Sequence, residues 1–410
     1  MRNRIMAGLG LATLALGIGA CDEASSYGPP HYKAQSGTPE AVAYTAGLTR
    51  YLGTARPVET QSFGPAETAY TFDPADGPVC MRGAPYAATV RETPSEDLLI
   101  FLQGGGACWS DFCLAITGAP TGIPAIGLLN PVDGNPTKDF DVLYLPYCDG
   151  SLFAGDSETD ENGDGNPDRI QHGLQNLSAA LTVGYEHFPH PRRIVLAGSS
   201  GGGFGTIMAT LLVRYVYPGV PIDVLNDAGL GVAHAGDPSF VQKLITEFGA
   251  EAFIPADCPD CIADGNITGL VDYMLARDPD LRVAAISSWY DFVIGNLFLM
   301  ESPTTFRDDV AAATSALHAK YPGRYQRFLY DGTAHTALLG GLATGILGDD
   351  LSAIEVPPNF LASASKITLA DYATLSVNGV VLEDWIAAML ANDAAAWTDL
   401  VQPAGPPPSN

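Results

Sequence analysis

The sequence predicts an α/β fold with a mostly parallel central sheet and helices on both of its faces. Through the middle of the chain, short apolar runs typical of buried strands alternate with helical segments. The chain has 410 residues, of which 47% are hydrophobic, so it can bury a large core. One apolar strand ends in a glycine-rich turn that leads at once into a helical pattern. Together these features favour a single large α/β enzyme domain.

The predicted elements follow one another in a regular order. Strands are expected at residues 97–103, 140–147, 194–198, 221–226, 281–288 and 325–330. Helices are expected at about residues 171–185, from 204 onwards, at 308–320 and within 377–397. Residues 233–280 lack clear alternation and are predicted to form a cap or insertion. We therefore expect one catalytic domain over residues 56–400, with residues 401–410 as a flexible tail.

The N-terminus has the pattern of a bacterial export signal. A basic segment at residues 1–4 precedes a short apolar stretch, residues 6–18, which is too short to span a bilayer. The following Ile18-Gly-Ala-Cys21 resembles a lipobox. Residues 1–20 are thus predicted to be a lipoprotein signal peptide and Cys21 the lipidated anchor to the membrane, with simple secretion as the alternative. Residues 21–55 are predicted to be a tether and N-terminal extension, and the protein is expected in the cell envelope.

The charge balance is strongly acidic. The chain has 46 acidic residues against 20 basic ones, for a formal net charge of −26. Such a surface repels nucleic-acid phosphates, so we expect no nucleic-acid partner. The simplest interpretation of the negative charge is an acidic surface that serves only solubility.

Six cysteines besides Cys21 fit the oxidising compartment that an export signal implies. Cys108 and Cys113 are close enough in sequence for a local disulfide, as are Cys258 and Cys261. That pairing would leave Cys80 to meet Cys148, although spacing alone does not decide among the connectivities. Zinc binding is the rival interpretation for Cys258 and Cys261, but no second C-x-x-C and no adjacent histidine pair supports it.

The glycine-rich turn carries the strongest functional signal. Strand, Gly198-Ser199-Ser200-Gly201-Gly202 and helix together match the nucleophile elbow of serine hydrolases, which predicts Ser200 as the nucleophile. A structural Gly-Ser turn is the alternative. The fold class is accordingly α/β-hydrolase-like, and its chemistry is expected beyond the carboxyl ends of the strands.

Strand order selects the partners of Ser200, because hydrolases of this kind place the acid and then the histidine after later strands. His335 follows the last strand of the series directly and is the predicted base, with His234 in reserve. Asp291 follows the strand at 281–288 and is the predicted acid, with Asp227 as its rival one strand earlier.

The oxyanion hole of such an enzyme needs backbone N–H groups aimed at the developing charge. Gly201 is expected to supply one, and the loop Gly104–Gly106 another, because glycines allow close approach of the backbone to substrate. A plain glycine-rich turn is the alternative for that loop.

An acidic loop provides a candidate calcium site. Oxygen-bearing side chains recur at alternate positions and are accompanied by glycines, as in the calcium loops of extracellular proteins. The candidate ligands are Asp160, Asn162, Asp164, Asn166 and Asp168. The calcium would be structural, no cofactor is expected for catalysis, and a solvated acidic turn is the alternative.

These motifs, in this order, resemble the pectin acetylesterase/Notum family of α/β-hydrolases. The resemblance spans about residues 75–340 and rests on the segments Leu102–Trp109 with Cys113, Leu145–Cys148 with Gly155-Asp156, Leu196–Gly203, Asn226–Gly229, Trp289–Asp291 and Ala334-His335. It implies a serine esterase with Ser200, Asp291 and His335 as its triad, and Gly105, Gly106 and Gly201 as its oxyanion hole.

The expected function is hydrolysis of O-acyl esters, chiefly O-acetyl esters, through an acyl-enzyme. The expected substrate is an acylated carbohydrate, with a polysaccharide favoured, or a small ester. Two alternatives remain open at this stage: a longer-chain lipase or protein deacylase, and a non-catalytic, calcium-dependent glycan-binding surface lipoprotein.

Overall fold

The structure, a computed structural model, describes residues 27–339, 354–358 and 360–408. The predicted signal peptide and Cys21 lie outside the described residues. Within the described ranges, no helix is both long and apolar enough to cross a membrane.

Seventeen strands are found in the described residues. In chain order they are β1 Pro57–Ser62, β2 Glu67–Phe72, β3 Ala87–Arg91, β4 Asp97–Leu102, β5 Gly106–Trp109, β6 Phe112–Ile116, β7 Asp141–Leu145, β8 Ser157–Thr159, β9 Arg169–Gln171, β10 Arg193–Ser199, β11 Ile222–Asp227, β12 Leu281–Ser288, β13 Tyr325–Tyr330, β14 Ile354–Glu355, β15 Ser376–Val377, β16 Val380–Val381 and β17 Leu400–Val401. Ten of them form one sheet in the order β1-β2-β3-β7-β4-β10-β11-β12-β13-β17.

Along the chain, most of the helices connect successive strands of this sheet. They are α1 Pro39–Thr45, α2 Gly173–His187, α3 Gly201–Val216, α4 Ser239–Phe248, α5 Thr268–Arg277, α6 Pro303–Lys320, α7 Phe360–Ala364 and α8 Leu382–Leu390, with a π-helical segment at Phe292–Phe298. The predicted cap, residues 233–280, lies between β11 and β12 and contains α4 and α5.

From β7 to β17 every pair of neighbouring strands in the large sheet is parallel. Successive side chains point to opposite faces of these strands, and both faces are buried. In β4, for example, Leu98 and Ile100 join one apolar cluster with α2 and α3, whereas Leu99 and Phe101 join a second cluster with α8. The predicted fold class, a mostly parallel sheet covered on both faces, is confirmed.

An antiparallel meander of β1, β2 and β3 extends the sheet at one edge. The sequence did not predict it, because the side chains of β1 after Pro57 are all exposed and its composition is polar. Backbone pairing with β2, rather than burial, defines that strand.

The two predicted flexible ends are shorter than expected. Tyr32 stacks on Tyr215 with ring centroids 4.6 Å apart, and Leu48 is fully buried, so the N-terminal extension packs on the domain from Tyr27 onwards rather than forming a tether. At the other end, the main chain of Gln402 and Gly405 is hydrogen-bonded to the body. Aromatic side chains hold both segments.

Three disulfides are present, Cys80–Cys148, Cys108–Cys113 and Cys258–Cys261. This is the pairing that the spacing favoured without deciding it, and because Cys258 and Cys261 are bonded to each other they are not zinc ligands.

Candidate active site

Ser200 lies in the sharp turn between β10 and α3 with φ 58° and ψ −123°, a backbone conformation that side-chain-bearing residues rarely adopt. Its amide donates a hydrogen bond of 2.8 Å to the carbonyl of Asp227 on β11, which holds the turn in place. The flanking glycines are required by packing. A Cβ on Gly198 would lie 2.2 Å from the Gly202 carbonyl oxygen, and one on Gly202 would lie 2.1 Å from that of Leu102.

Asp291 and His335 are brought together after the ends of β12 and β13. The His335 Nδ1 atom lies 2.9 Å from Asp291 Oδ2 and 3.0 Å from Oδ1. Both residues are almost completely buried. Asp291 also accepts hydrogen bonds from the amides of Val293 and Ile294, which fix the carboxylate at the start of the π-helical segment.

The other ring nitrogen of His335 is free of such contacts. Its Nε2 atom is buried and has no hydrogen-bond partner among the described residues. The main-chain N–H of His335 donates to the Thr368 carbonyl at 2.7 Å, so the loop that carries the ring is anchored. Ser200, Asp291 and His335 each follow a parallel strand of the same sheet, and therefore lie at the same edge of it.

Asp227, the rival acid, has a different set of partners. Its carboxylate accepts hydrogen bonds from the Ser199 hydroxyl and from the amides of Ala337 and Leu338. Burial raises the pKa of this carboxyl, although these hydrogen bonds oppose the shift. Asp227 thus joins the end of β10 to the loop that follows His335.

Two of the glycines predicted for the oxyanion hole, Gly106 and Gly201, line the same pocket as Ser200. A Cβ on Gly104 would lie 3.0 Å from Ser200 Cβ, and a Cβ on Gly201 would lie 2.8 Å from the Gly106 carbonyl oxygen. Gly201 is the first residue of α3, where amides have no acceptor within the helix. Gly104 and Gly105 lie in a loop, as predicted, whereas Gly106 begins a β5–β6 hairpin closed by the Cys108–Cys113 disulfide.

A deep apolar pocket opens at Ser200. The unfilled space between its walls is about 770 Å³ and includes open solvent. The walls come from the oxyanion segment, from α3, from the apolar face of α4 and from the π-helical segment: Gly106, Trp109, Phe204, Met208, Phe240, Val241, Leu244, Ile245 and Phe298. Residues 233–280, which contain α4, show no clear alternation in the sequence, so this part of the wall was not predicted.

Leu152 is another wall residue that the sequence did not predict. It lines the pocket, and both it and Phe153 have positive φ values of 59° and 61°. The amide of Leu152 donates to the Tyr147 hydroxyl at 2.9 Å, and this contact stabilises the strained turn. Consecutive positive φ values in residues with side chains cost roughly 1–2 kcal/mol each and concentrate at functional sites.

His234, the reserve base, is held away from this arrangement. Its Nδ1 atom lies 3.1 Å from Glu301 Oε1, and its ring packs edge-on against Phe240. Burial, with a smaller contribution from the charge of Asp309, raises the pKa of Glu301 to about 7. The His234–Glu301 pair thus lies next to Phe240, a residue that lines the pocket.

The acidic loop is folded on itself. Asp160 accepts hydrogen bonds from the amides of Gly163 and Gly165, and Asp168 accepts from those of Glu161 and Asn162. Asp164 accepts from the amide of Asn166. All five predicted calcium ligands therefore take part in hydrogen bonds within the loop. Across the described ranges, no three histidine, cysteine or acidic side chains are grouped to hold a metal. Calcium binding by this loop remains a prediction.

Comparison with known proteins adds one match. The family model for pectinacetylesterase matches residues 130–250. The matched segment contains β10, the Ser200 turn, α3 and α4, whereas Asp291 and His335 follow it. No curated protein matches the chain significantly.

Proposed function

We propose that this chain belongs to the pectinacetylesterase family, whose model matches residues 130–250, and that it is a serine esterase that removes O-acetyl groups from carbohydrate through an acyl-enzyme. The family implies carboxylic ester hydrolysis and an acetylated carbohydrate substrate. The residues and the mechanism proposed below are supported by the geometry of the site.

One observation carries the proposal. The His335 ring is held by Asp291 through Nδ1, while its buried Nε2 atom has no partner among the described residues, at the sheet edge where Ser200 lies. A buried polar atom without a partner costs about 1–3 kcal/mol, so its retention points to a partner supplied during the reaction. A serine hydroxyl or a leaving-group oxygen would satisfy it.

The proposed mechanism has two half-reactions. His335 Nε2 accepts the proton of the Ser200 hydroxyl as its oxygen attacks the ester carbonyl, and the same nitrogen returns the proton to the departing alcohol. Water then attacks the acyl carbonyl while His335 Nε2 takes its proton, and that proton passes to the Ser200 oxygen as the bond to the acyl group breaks and the carboxylic acid leaves. Asp291 holds the ring in the tautomer that leaves Nε2 free to accept, and stabilises the imidazolium. The amides of Gly105, Gly106 and Gly201 are proposed to bind the oxyanion.

Adjacent serines supply a matched test. Ser200→Ala should lower kcat on a short p-nitrophenyl ester by at least about 10⁴-fold and abolish labelling by a fluorophosphonate. Ser199→Ala, which removes the bond to Asp227, should keep labelling and most activity. Full activity in Ser200→Ala would falsify the proposal, and a folded wild-type protein that resists labelling would favour the non-catalytic glycan-binding alternative.

The apolar pocket favours a second candidate, an esterase for longer acyl chains. Five apolar residues of α4 line the pocket, and an acetyl group would leave most of that surface without contact. Leu244→Trp should narrow the pocket and lower kcat/KM for long esters while sparing acetyl esters. Gln242→Trp, at an exposed position of the same helix, is the matched control. A wild-type profile that peaks at acetyl and is unchanged by Leu244→Trp would exclude this candidate.

The location of the protein is a separate proposal that rests on the lipobox-like segment at Cys21. We propose that Cys21 anchors the chain to a membrane of the bacterial cell envelope. Metabolic labelling with a radioactive fatty acid should modify the wild-type chain and not Cys21→Ser. Equal labelling of both chains, or of neither, would contradict lipidation at this residue.

A further inference from the structure

A polar cleft lies at the amino-terminal ends of the parallel strands, whereas Ser200 lies at their carboxyl-terminal ends. Its walls come from the N-terminal ends of β10, β11, β12 and β13, and it contains about 1000 Å³ of unfilled space that is partly open to solvent. Ser200 follows the C-terminal end of β10, so the length of that strand, about 20 Å, separates it from the cleft. The cleft is therefore distinct from the proposed active site.

Basic side chains are concentrated there. Four of the 20 basic residues of the chain line the cleft, Arg192, Arg193, Arg282 and Arg324. Arg192 is paired with Asp97 at 2.7 Å, which leaves three arginines against two acidic wall residues, Asp223 and Asp280. Because the whole chain carries a formal charge of −26, this local excess of positive charge is not a reflection of overall composition.

Two of the guanidinium groups share one carboxylate. Arg282 forms a two-pronged pair with Asp223, with Nε–Oδ1 and Nη2–Oδ2 distances of 2.7 and 2.9 Å. Arg193 lies 3.9 Å from the same carboxylate. Asp223 is buried and carries one negative charge, so it neutralises about one of the two guanidinium charges. The other positive charge is available to a ligand.

Arg324 is held without any acidic partner. It donates hydrogen bonds of 2.9 Å to the carbonyl oxygens of Asp278 and Leu275, and it lies over the ring of Tyr321. Among the described residues, no carboxylate lies within 4.0 Å of its guanidinium. These neutral contacts orient the side chain and leave its charge uncompensated.

We propose that this cleft binds a phosphate group, either as the free ion or as a phosphomonoester. The planar guanidinium fork matches the oxygen spacing of phosphate, and Arg is the preferred side chain for this recognition. A phosphate dianion presents more oxygens and more charge than a carboxylate, so it can engage guanidiniums from several walls at once.

Titration calorimetry on the full chain at constant ionic strength tests the proposal with two probes, inorganic phosphate and glycerol 3-phosphate. Saturable binding of either is expected, and the tighter probe identifies the free ion or the monoester as the ligand form. Arg324→Gln should weaken binding by about tenfold, whereas substitution of the partly exposed Arg307, which is paired with Asp308, by Gln should not. No saturable binding of either probe, or equal affinity in Arg324→Gln, would overturn the proposal.

A second variant leaves Arg324 and its contacts in the fold unchanged. Asp280 is exposed and lines the cleft, so Asp280→Asn should tighten phosphate binding by about twofold through loss of a repulsive charge. Unchanged affinity in Asp280→Asn would place the binding elsewhere. Hydrolysis of a short ester should be the same in both cleft variants as in the wild type, so this test is independent of the proposed esterase function.

Discussion

The carboxylate of Asp227 accepts a hydrogen bond of 2.8 Å from the hydroxyl of Ser199, the residue before the proposed nucleophile. Through its bonds to the amides of Ala337 and Leu338, the same carboxylate fixes the chain just after His335. Asp227 therefore contributes to alignment of the proposed nucleophile and base, while Asp291 is the acid that contacts the histidine ring.

This division of roles predicts different outcomes for two isosteric substitutions. Asp291→Asn should lower kcat by about 10³–10⁴-fold, because an amide does not favour the required tautomer or the imidazolium of His335. Asp227→Asn should lower kcat far less and should act mainly on the melting temperature. Kinetics on a short p-nitrophenyl ester, with circular dichroism to verify folding, measures both. A larger kinetic loss in Asp227→Asn would reverse the assignment of the acid.

The sequence was most informative where function depends on strand order. Ser200, Asp291 and His335 could be selected because parallel strands bring their carboxyl ends to one edge, and the proximity of Asp291 to His335 follows from that rule. Contacts between segments far apart in the chain leave no local pattern. For this reason neither the pocket wall from α4 nor the strained turn at Leu152 could be predicted.

Asp149 gives the protein a predictable dependence of stability on pH. Burial raises the pKa of its carboxyl to about 6, above its ordinary value near 4, against the opposing hydrogen bond from Ser151. The folded state thus holds this proton more tightly than the unfolded state, so the stabilisation present below pH 4 is lost as the pH rises through 6.

Asp149→Asn should remove this dependence. The variant should gain stability relative to the wild type between pH 4 and 7, by at most about 3 kcal/mol, since an amide carries no buried charge. Denaturant unfolding at a series of pH values provides the measurement. A difference between the two proteins that stays constant over this range would contradict the shifted pKa.

The three disulfides should contribute unequally to stability. Cys80 and Cys148 are separated by 68 residues, so their bond restricts a long loop of the unfolded chain, and its loss should cost about 4 kcal/mol. The Cys258–Cys261 bond closes a loop of only 3 residues and should matter less. Paired alanine substitutions compared by thermal unfolding test this order. An equal fall in melting temperature for both pairs would show that loop length does not govern the effect.

The acidic loop makes calcium a testable ligand. If Asp160 and Asp168 bind Ca²⁺, chelator treatment should lower the melting temperature, and added Ca²⁺ should restore it where Mg²⁺ does not. The Asp160→Asn, Asp168→Asn double variant should lose the response. Wild-type protein whose melting temperature is insensitive to both chelator and Ca²⁺ would leave the solvated acidic turn as the correct interpretation.

The C-terminal segment is predicted to support the position of Asp291. The two residues before it are tied to the tail: Trp289 Nε1 donates to the Gln402 carbonyl and the Tyr290 hydroxyl to that of Gly405, both at 2.6 Å. The amide of Gly405 donates in turn to Asp331, in the segment between β13 and His335. Truncation after Val401 should therefore lower kcat by about tenfold, because small displacements of catalytic groups have large effects on rate. Truncation after Pro406, which keeps these contacts, is the matched control, and equal kcat in the two truncated chains would show that the tail does not position the acid.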